Sequence, residues 1–190
     1  MKIVGLLLAA GSASRFGSDK LAHALPHGVP IAVQSARHLK AELAEVIVVL
    51  RDASNASLFE DEGCKAVVCE TATEGMGASL ACGARAAGRC DGYIVALADM
   101  PFVRPSTIAA VRKALEEGAA LVAPYFRARR GHPVGFGGGF HDELVALRGD
   151  EGARRVLAAN EARLVKIPVG DPGVIRDIDT PGDLAPPVRV

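Results

Sequence analysis

The sequence contains no tryptophan, and aromatic residues make up only 4% of its 190 residues. Its 22 lysine and arginine residues are balanced by 22 aspartate and glutamate residues, so the formal net charge at pH 7 is zero. A balanced charge lacks the basic excess with which proteins bind nucleic acid or anionic membrane surfaces, and we expect neither as a partner. Hydrophobic residues still reach 49%, which is enough for a sizeable core of Ala, Val and Leu.

Long hydrophobic runs are also missing. The first apolar run, residues 3–10, is too short to cross a bilayer, and it leads into a glycine-rich stretch rather than a signal-peptide cleavage site. We therefore predict a cytoplasmic protein. The four cysteines form no C-x-x-C pair, so the sequence predicts small buried hydrophobic residues rather than metal ligands.

Apolar runs alternate with amphipathic stretches along the chain. The runs are continuous, as is typical of parallel strands in a sheet that is covered on both faces. This order predicts a three-layer α/β/α sandwich with a Rossmann-like, mostly parallel sheet, in one domain over residues 1–190. The predicted strands are residues 2–9, 45–50, 65–69, 92–98, 119–126, 131–136 and 163–167, and the predicted helices are residues 30–43, 54–62, 76–87, 105–118, 140–147 and 151–159.

Small residues and carboxylates follow the predicted strands. The first strand leads into "GSASRFG" (11–17), the fourth into "ADMP" (98–101), and "DIDTPGDL" (177–184) lies near the end of the chain. Open α/β sheets bind their ligands beyond the carboxyl ends of the strands. The sequence therefore predicts a ligand site at one edge of the sheet.

The first of these loops matches neither of two common phosphate-binding motifs. Five residues separate Gly11 from Gly17 where a Walker A motif has four, and Ala13 stands where a G-x-G-x-x-G dinucleotide motif needs glycine. Small residues still let backbone N–H groups approach phosphate oxygens, and Arg15 and Lys20 can neutralise charge. The alternative from these residues alone is a tight turn with two solvated cations.

The complete pattern "LAAGSASRFGSDKL" (8–21) resembles the signature of the MobA/MocA-like nucleotidyltransferases, and among them it is most similar to the molybdenum cofactor cytidylyltransferases. Five further elements resemble this family in the family's order: "EGMGASL" (74–80), "ALADMPFV" (96–103), "RRGHPVGF" (129–136), "GDEGARRVL" (149–157) and "DIDTPGDL". The resemblance covers nearly the whole chain. The chain departs from the pattern at Gly182, where an acidic residue is usual, and in residues 22–30.

The resemblance implies the transfer of a nucleotide from CTP to a phosphorylated pterin acceptor, with Mg²⁺ as cofactor and pyrophosphate as the second product. A molybdoenzyme or its chaperone is a further implied partner. The implied catalytic residues are Arg15, Lys20 and Asp99. The implied nucleotide-binding residues are Leu8, Ala9, Ala10, Gly11, Ser12, Arg15, Lys20, Gly75, Met76, Gly77, Ser79 and Asp99.

Asp99 is the first candidate metal ligand, because it ends a buried strand and is followed by Met-Pro, which turns the chain. Asp179 is the second ligand by resemblance, and Asp177 is an alternative to it. His132, Pro133 and Arg154 are predicted to contact the acceptor. Ser79 is alternatively a helix cap, and Arg154 alternatively belongs to a solvated helix face beside Arg155.

Two other functions stay open at this point. One is a guanylyltransferase, or a relative that serves another phosphorylated acceptor; the resemblance associates "LAGG" with GTP, so Leu8-Ala9-Ala10-Gly11 favours CTP. The other is a catalytically silent module that binds a nucleotide or a cofactor. The presence of Arg15, Lys20, Asp99 and Asp179 favours an enzyme.

Overall fold

A computed structural model describes residues 1–11, 20–150 and 152–185. The strands are β1 (Ile3–Ala9), β2 (Glu45–Leu50), β3 (Lys65–Val68), β4 (Gly92–Leu97), β5 (Leu121–Phe126), β6 (Arg129–Arg130), β7 (Val134–Gly137) and β8 (Leu164–Pro168). The helices are α1 (Ile31–Lys40), α2 (Ala56–Glu60), α3 (Met76–Ala87), α4 (Pro105–Glu116), α5 (His141–Val145) and α6 (Arg154–Ala159), with short 3₁₀ turns between them.

The eight strands form one mixed sheet in the order β3-β2-β1-β4-β7-β5-β6, with β8 also paired to β5. The pairs β1–β2, β1–β4, β2–β3 and β5–β8 are parallel, whereas β7 runs antiparallel to both β4 and β5. The prediction of an α/β fold with a mostly parallel sheet is confirmed.

One predicted strand begins later in the structure than the sequence indicated. The stretch 131–136 was expected as a single strand, but its first residues are irregular and β7 starts only at Val134. The preceding Arg129 and Arg130 form β6, which pairs with Tyr125 and Phe126 in a hairpin. Arg127 and Ala128 form the turn with φ of 48° and 64°, the left-handed conformation that a two-residue hairpin loop requires. The basic segment therefore contributes both the turn and a strand.

The side chains of β1 alternate between two apolar layers, because successive side chains of a strand point to opposite faces. Leu7 and Ala9 pack with α1 and α4 in one cluster, while Leu6 and Leu8 pack with α3 and the segments of α5 and α6 in the other. The sheet is thus covered on both faces, which explains why its central strands are continuously apolar.

The N-terminal end of helix α4 is stabilised by a residue from near the end of the chain. Pro105 occupies the first helical position, where no N–H is needed. The carboxylate of Asp171, which is 3% exposed, accepts hydrogen bonds from the Thr107 hydroxyl at 2.7 Å and from the Arg104 N–H at 2.9 Å. Asp171 is therefore a structural carboxylate that caps α4 from a distance along the chain.

The helices are short. The longest two, α3 and α4, have 12 residues each, and within the described ranges none combines the length and the apolar character needed to span a membrane.

Candidate nucleotide and metal site

A cavity of about 530 Å³ lies at the edge where the parallel strands β1, β2, β3 and β4 end. Most of the predicted nucleotide-binding residues in the described ranges contribute to its walls, and Gly77 is the exception. The predicted residues that line the cavity are Leu8, Ala9, Ala10, Gly11, Lys20, Gly75, Met76, Ser79, Asp99 and Asp179.

Three aspartates lie close together beside this cavity, and two of them, Asp99 and Asp179, line it. Asp99 follows β4, and one carboxylate oxygen from each of Asp99, Asp177 and Asp179 lies within 4.8 Å of the others. The Ile178 N–H donates to the Asp99 carbonyl oxygen at 2.9 Å, and the Ile178 side chain is fully buried. Because side chains alternate along this extended segment, both neighbouring aspartates face Asp99. Asp177 and Asp179, which the sequence left as alternatives, therefore both join the group.

The chemistry of these donors fits a hard divalent cation. Carboxylate oxygens are the ligands that Mg²⁺ and Mn²⁺ prefer, and such ions are commonly held by a few carboxylates together with phosphate oxygens and water. The partial exposure of the group leaves room for those additional ligands, because the Asp99 side chain is 25% exposed and that of Asp179 is 50% exposed.

Lys20 supplies a cation beside these carboxylates. Its Nζ lies 3.0 Å from Asp99 Oδ2 and 3.5 Å from Asp179 Oδ1, and its side chain is only 12% exposed. Burial raises the pKa of Asp99, and the positive charge of Lys20 opposes this rise. Lys20 thus compensates a partly buried negative charge.

Gly11 lines the cavity and is exposed. A Cβ atom added there would meet no other atom within 4 Å, so the lack of a side chain is not required by packing among the described residues. Ala10, in contrast, is buried in the apolar cluster on the α3 face. Ser12 and Arg15 lie outside the described residues, so their predicted roles stay predictions.

The glycines at the start of α3 have a packing role. A Cβ atom on Gly77 would lie 2.6 Å from the Arg148 carbonyl oxygen, and one on Gly75 would lie 2.7 Å from Asp150. The Gly77 N–H donates to the Gly149 carbonyl at 2.8 Å, and the Met76 N–H donates to the Asp150 carboxylate at 3.4 Å. The first amide groups of this helix therefore already donate hydrogen bonds to segment 148–150.

Ser79 does not cap α3. Its hydroxyl donates to the Gly75 carbonyl oxygen at 3.3 Å, one turn earlier in the chain. This bond lies within the first turn of the helix, whereas a cap would accept a hydrogen bond from a free N–H group.

A second cavity of about 230 Å³ adjoins the first and shares Leu8, Met76 and Leu97 with it. His132 and Arg154 line this cavity, and Arg130 joins them. Pro133 instead lines a small space on the α1–α4 face of the sheet. Arg155 is exposed and lines neither of the two larger cavities.

His132 is held in its neutral form. Its Nδ1 is buried and has no hydrogen-bond partner among the described residues. Burial lowers the pKa of His132 to about 4, because its surroundings disfavour the charged imidazolium. This histidine can contact a substrate at neutral pH, but it cannot supply a positive charge there.

We expect the free energy of unfolding to fall as the pH is lowered from 7 toward 4. The unfolded chain binds a proton at His132 near its ordinary pKa of 6.5, whereas the folded protein binds it only near 4, so acid favours unfolding by up to about 3 kcal/mol. Urea denaturation at pH 7.0, 5.5 and 4.5 measures this loss. The loss of unfolding free energy should be smaller in His132→Gln and unchanged in the control variant His27→Gln. A loss in His132→Gln equal to that of the wild-type protein would show that His132 does not cause it.

Four polar residues of the cavity were not predicted as site residues from the sequence: Arg51, Thr73, Glu74 and Asp150. Arg51 directly follows β2, and its Nη2 donates to the Ala10 carbonyl oxygen at 3.2 Å. Its place after a predicted strand is the signal that could have identified it. Asp150 lies within the recognised "GDEGARRVL" element, but its contact with α3 has no signature in the sequence.

The mostly parallel sheet, with the candidate site at its carboxyl edge, matches the fold of a solved nucleotidyl transferase structure. The family model described as the MobA-like NTP transferase domain matches residues 5–164, and the chain belongs to this family. The predicted family is thereby confirmed, although not the specific cytidylyltransferase.

Two relatives are similar over nearly their whole length. The chain is 29% identical to the purine catabolism protein PucB of Bacillus subtilis, over 94% of this chain and 92% of that protein. It is also 29% identical to the nicotine blue oxidoreductase of Paenarthrobacter nicotinovorans, with the same coverage of both chains.

Solved structures show the same fold. Rv0371c from Mycobacterium tuberculosis superposes with a TM-score of 0.78 at 26% identity, over 96% of this chain and 95% of that chain, and a further structure of that protein is a complex with manganese. A nucleotidyl transferase from Methanothermobacter has a TM-score of 0.79 at 22% identity, over 96% and 94% of the two chains. Molybdopterin-guanine dinucleotide biosynthesis protein A from Archaeoglobus fulgidus has a TM-score of 0.67 at 20% identity, over 95% and 94%.

Proposed function

We propose that this protein is a cytoplasmic cytidylyltransferase of one domain, residues 1–190, that transfers CMP from CTP to the terminal phosphate of the molybdenum cofactor's pterin. A phosphate oxygen of the acceptor forms a bond to the α-phosphorus of CTP. The bond from the α-phosphorus to the bridging oxygen breaks, and pyrophosphate leaves with that electron pair. The observation that carries this proposal is the three-aspartate group with Lys20, placed beside the open Gly11 backbone at the carboxyl edge of the sheet.

Asp99, Asp177 and Asp179 would hold Mg²⁺. When bound, the ion neutralises phosphate charge and aligns the leaving group. The manganese complex of a structural relative supports a divalent ion in this fold. Positioning and electrostatics supply most of the catalysis in phosphoryl transfer, so these residues and Lys20 have the dominant roles.

Other groups of the chain bind the phosphates, offset their charge and contact the acceptor. The exposed backbone at Gly11 accommodates the phosphates, and Lys20, together with Arg15 as predicted from the sequence, offsets their negative charge. The acceptor is already an anionic phosphate, so no general base is needed to activate it. A neutral His132 is consistent with a contact role rather than with proton transfer.

The second cavity is the proposed acceptor site. Its floor is apolar, with Leu80, Val95 and Phe136, while Arg130 and Arg154 add positive charge at its walls. A flat pterin ring with a phosphate matches this combination of an apolar surface and cations. The shared wall formed by Met76 and Leu97 brings this acceptor next to the nucleotide. A molybdoenzyme or its chaperone is the proposed recipient of the product.

The test is a pyrophosphate-release assay with each of the four nucleoside triphosphates, with and without molybdenum cofactor. We expect release with CTP only when the cofactor and Mg²⁺ are present. The choice of CTP over GTP rests on the first-loop sequence Leu8-Ala9-Ala10-Gly11. A preference for GTP would contradict the nucleotide assignment, and release that requires a different phosphorylated acceptor would contradict the pterin.

Gly11→Val should weaken CTP binding about tenfold while the protein stays folded. A Cβ atom at this position contacts none of the described residues, but the added branched side chain occupies the position where we place the phosphates, and it removes hydrogen bonds worth about 1.5 kcal/mol or more. Calorimetric titration with CTP and Mg²⁺ measures the effect.

Gly170→Val is the matched control, because a Cβ atom at Gly170 also meets nothing within 4 Å, and this residue lines neither of the two larger cavities. Equal CTP affinity in both valine variants and the wild-type protein would remove Gly11 from the phosphate site.

A further inference from the structure

Arg51 is a cation of the first cavity to which the proposed chemistry assigns no role. Its Nη2 donates to the Ala10 carbonyl oxygen at 3.2 Å, and the structure records no ion pair between Arg51 and a carboxylate of the described residues. A guanidinium group has five N–H donors in a planar fork. One is committed to Ala10, so further donors are available to a ligand in the cavity.

The strand order shows which part of a nucleotide reaches Arg51. Along the carboxyl edge, the ends of β4, β1, β2 and β3 succeed one another, about 5 Å apart. Asp99 stands at the end of β4, Gly11 follows β1, Arg51 follows β2, and Thr73 and Glu74 come after β3. Arg51 is thus two strand positions, about 10 Å, from the aspartate group.

A nucleotide whose phosphates lie over the ends of β4 and β1 can extend in two directions. On the other side of β4 lies β7, where the second cavity with His132 and Arg154 begins, and we have placed the acceptor there. The ribose and the base therefore extend over the ends of β2 and β3. Arg51, Thr73 and Glu74 line that part of the cavity.

We propose that Arg51 determines base specificity by donating hydrogen bonds to the cytosine edge. This inference rests on the proposed nucleotide transfer. Cytosine presents its N3 and O2 atoms as acceptors, which match the two-pronged guanidinium. Uracil carries a hydrogen on N3, so one donor would face another, and a polar site rejects a ligand that leaves its donors unpaired. Glu74 supplies a carboxylate that can accept from the cytosine amino group.

The experiment is calorimetric titration of the wild-type protein with CTP, UTP, GTP and ATP in the presence of Mg²⁺ and without any acceptor. We expect CTP to bind at least tenfold more tightly than UTP. Arg51→Ala should lower CTP affinity about tenfold and leave UTP affinity nearly unchanged, because only the cytosine hydrogen bond to a charged donor is lost.

Two further variants separate the possible roles of Arg51. Arg51→Lys keeps the positive charge but not the fork, so it should also lose the CTP preference. Arg129→Ala, an exposed arginine in β6 that lines neither cavity, should behave like the wild-type protein. If Arg51→Ala weakens all four nucleotides equally, or if Arg51→Lys keeps the full preference, Arg51 holds the loop or the phosphates and does not read the base.

The outcomes also separate this inference from the proposed function. Selective CTP binding that Arg51→Ala leaves unchanged overturns the inference alone. A preference for another base overturns both the assignment of CTP and the proposed pairing of Arg51 with the cytosine edge, even if that preference disappears in Arg51→Ala. A wild-type protein that binds none of the four nucleotides overturns both.

Discussion

Replacing Asp99 with asparagine should lower turnover about a hundredfold, which corresponds to roughly 2.7 kcal/mol of transition-state stabilisation. The substitution preserves the shape of the side chain but removes the charge of the central member of the aspartate group. Nucleotide binding should also lose most of its dependence on Mg²⁺. Turnover and CTP affinity, each measured with and without Mg²⁺, test this expectation.

Three comparison variants make the Asp99 result specific. Asp177→Asn and Asp179→Asn remove the other two members of the group one at a time, and the larger loss identifies the second metal ligand. Asp142→Asn is the control, because Asp142 is an exposed residue whose side chain pairs with Arg89. Near-normal, magnesium-dependent turnover in Asp99→Asn would show that Asp99 is only a turn residue.

The Asp99→Asn variant should not lose stability at neutral pH. Burial raises the pKa of Asp99 above its ordinary value, so the folded protein favours the protonated carboxyl more than the unfolded chain does. At a pH above the raised pKa the ionised group therefore opposes folding, and this cost disappears as the pH falls below the ordinary carboxyl pKa. Loss of activity without loss of stability is the combination expected of a functional carboxylate.

Lys20→Ala should reduce turnover by about ten- to a hundredfold. The substitution removes a hydrogen bond to a charged group, which is worth about 1.5–3 kcal/mol, from the point where the triphosphate charge is greatest. It also removes the cation that opposes the raised pKa of Asp99. The activity of Lys20→Ala should therefore fall further than that of the wild-type protein when the assay pH is lowered.

Lys113→Ala is the control for this experiment, because Lys113 is an exposed residue of α4 that pairs with Glu117 at 3.7 Å. Pyrophosphate release measured across a pH series compares the three proteins. Full activity in Lys20→Ala at every pH would mean that the lysine only compensates the charge of the aspartates.

The sequence was sufficient to predict most of the strands and helices and one side of the site. Continuous apolar runs such as "EVIVVL" form strands only in a sheet that is covered on both faces, so they predicted the layers as well as the strands. The first loop and Asp99 each follow directly after a strand. Because the carboxyl ends of neighbouring parallel strands meet at one edge, their proximity could be inferred without coordinates.

The sequence alone did not predict the contacts between segments that lie far apart along the chain. Lys20 lies 79 residues from Asp99 and 159 residues from Asp179 along the chain. The resemblance to the family named these residues, but only the fold brings them within hydrogen-bonding distance. The arrangement that places both Asp177 and Asp179 beside Asp99 depends on the backbone bond from Ile178 to Asp99, a tertiary contact with no local pattern.

Three glycines show most clearly what the sequence determines and what the tertiary structure determines. Gly11, Gly75 and Gly77 look alike in the sequence, where each suggests close approach of a ligand to the backbone. Only the tertiary structure separates them, because no described residue lies within 4 Å of a Cβ atom added to Gly11, whereas segment 148–150 fills the space beside Gly75 and Gly77. Local composition thus determines the strands, helices and turns of this protein, while the packing of remote segments decides which turns remain open to a ligand.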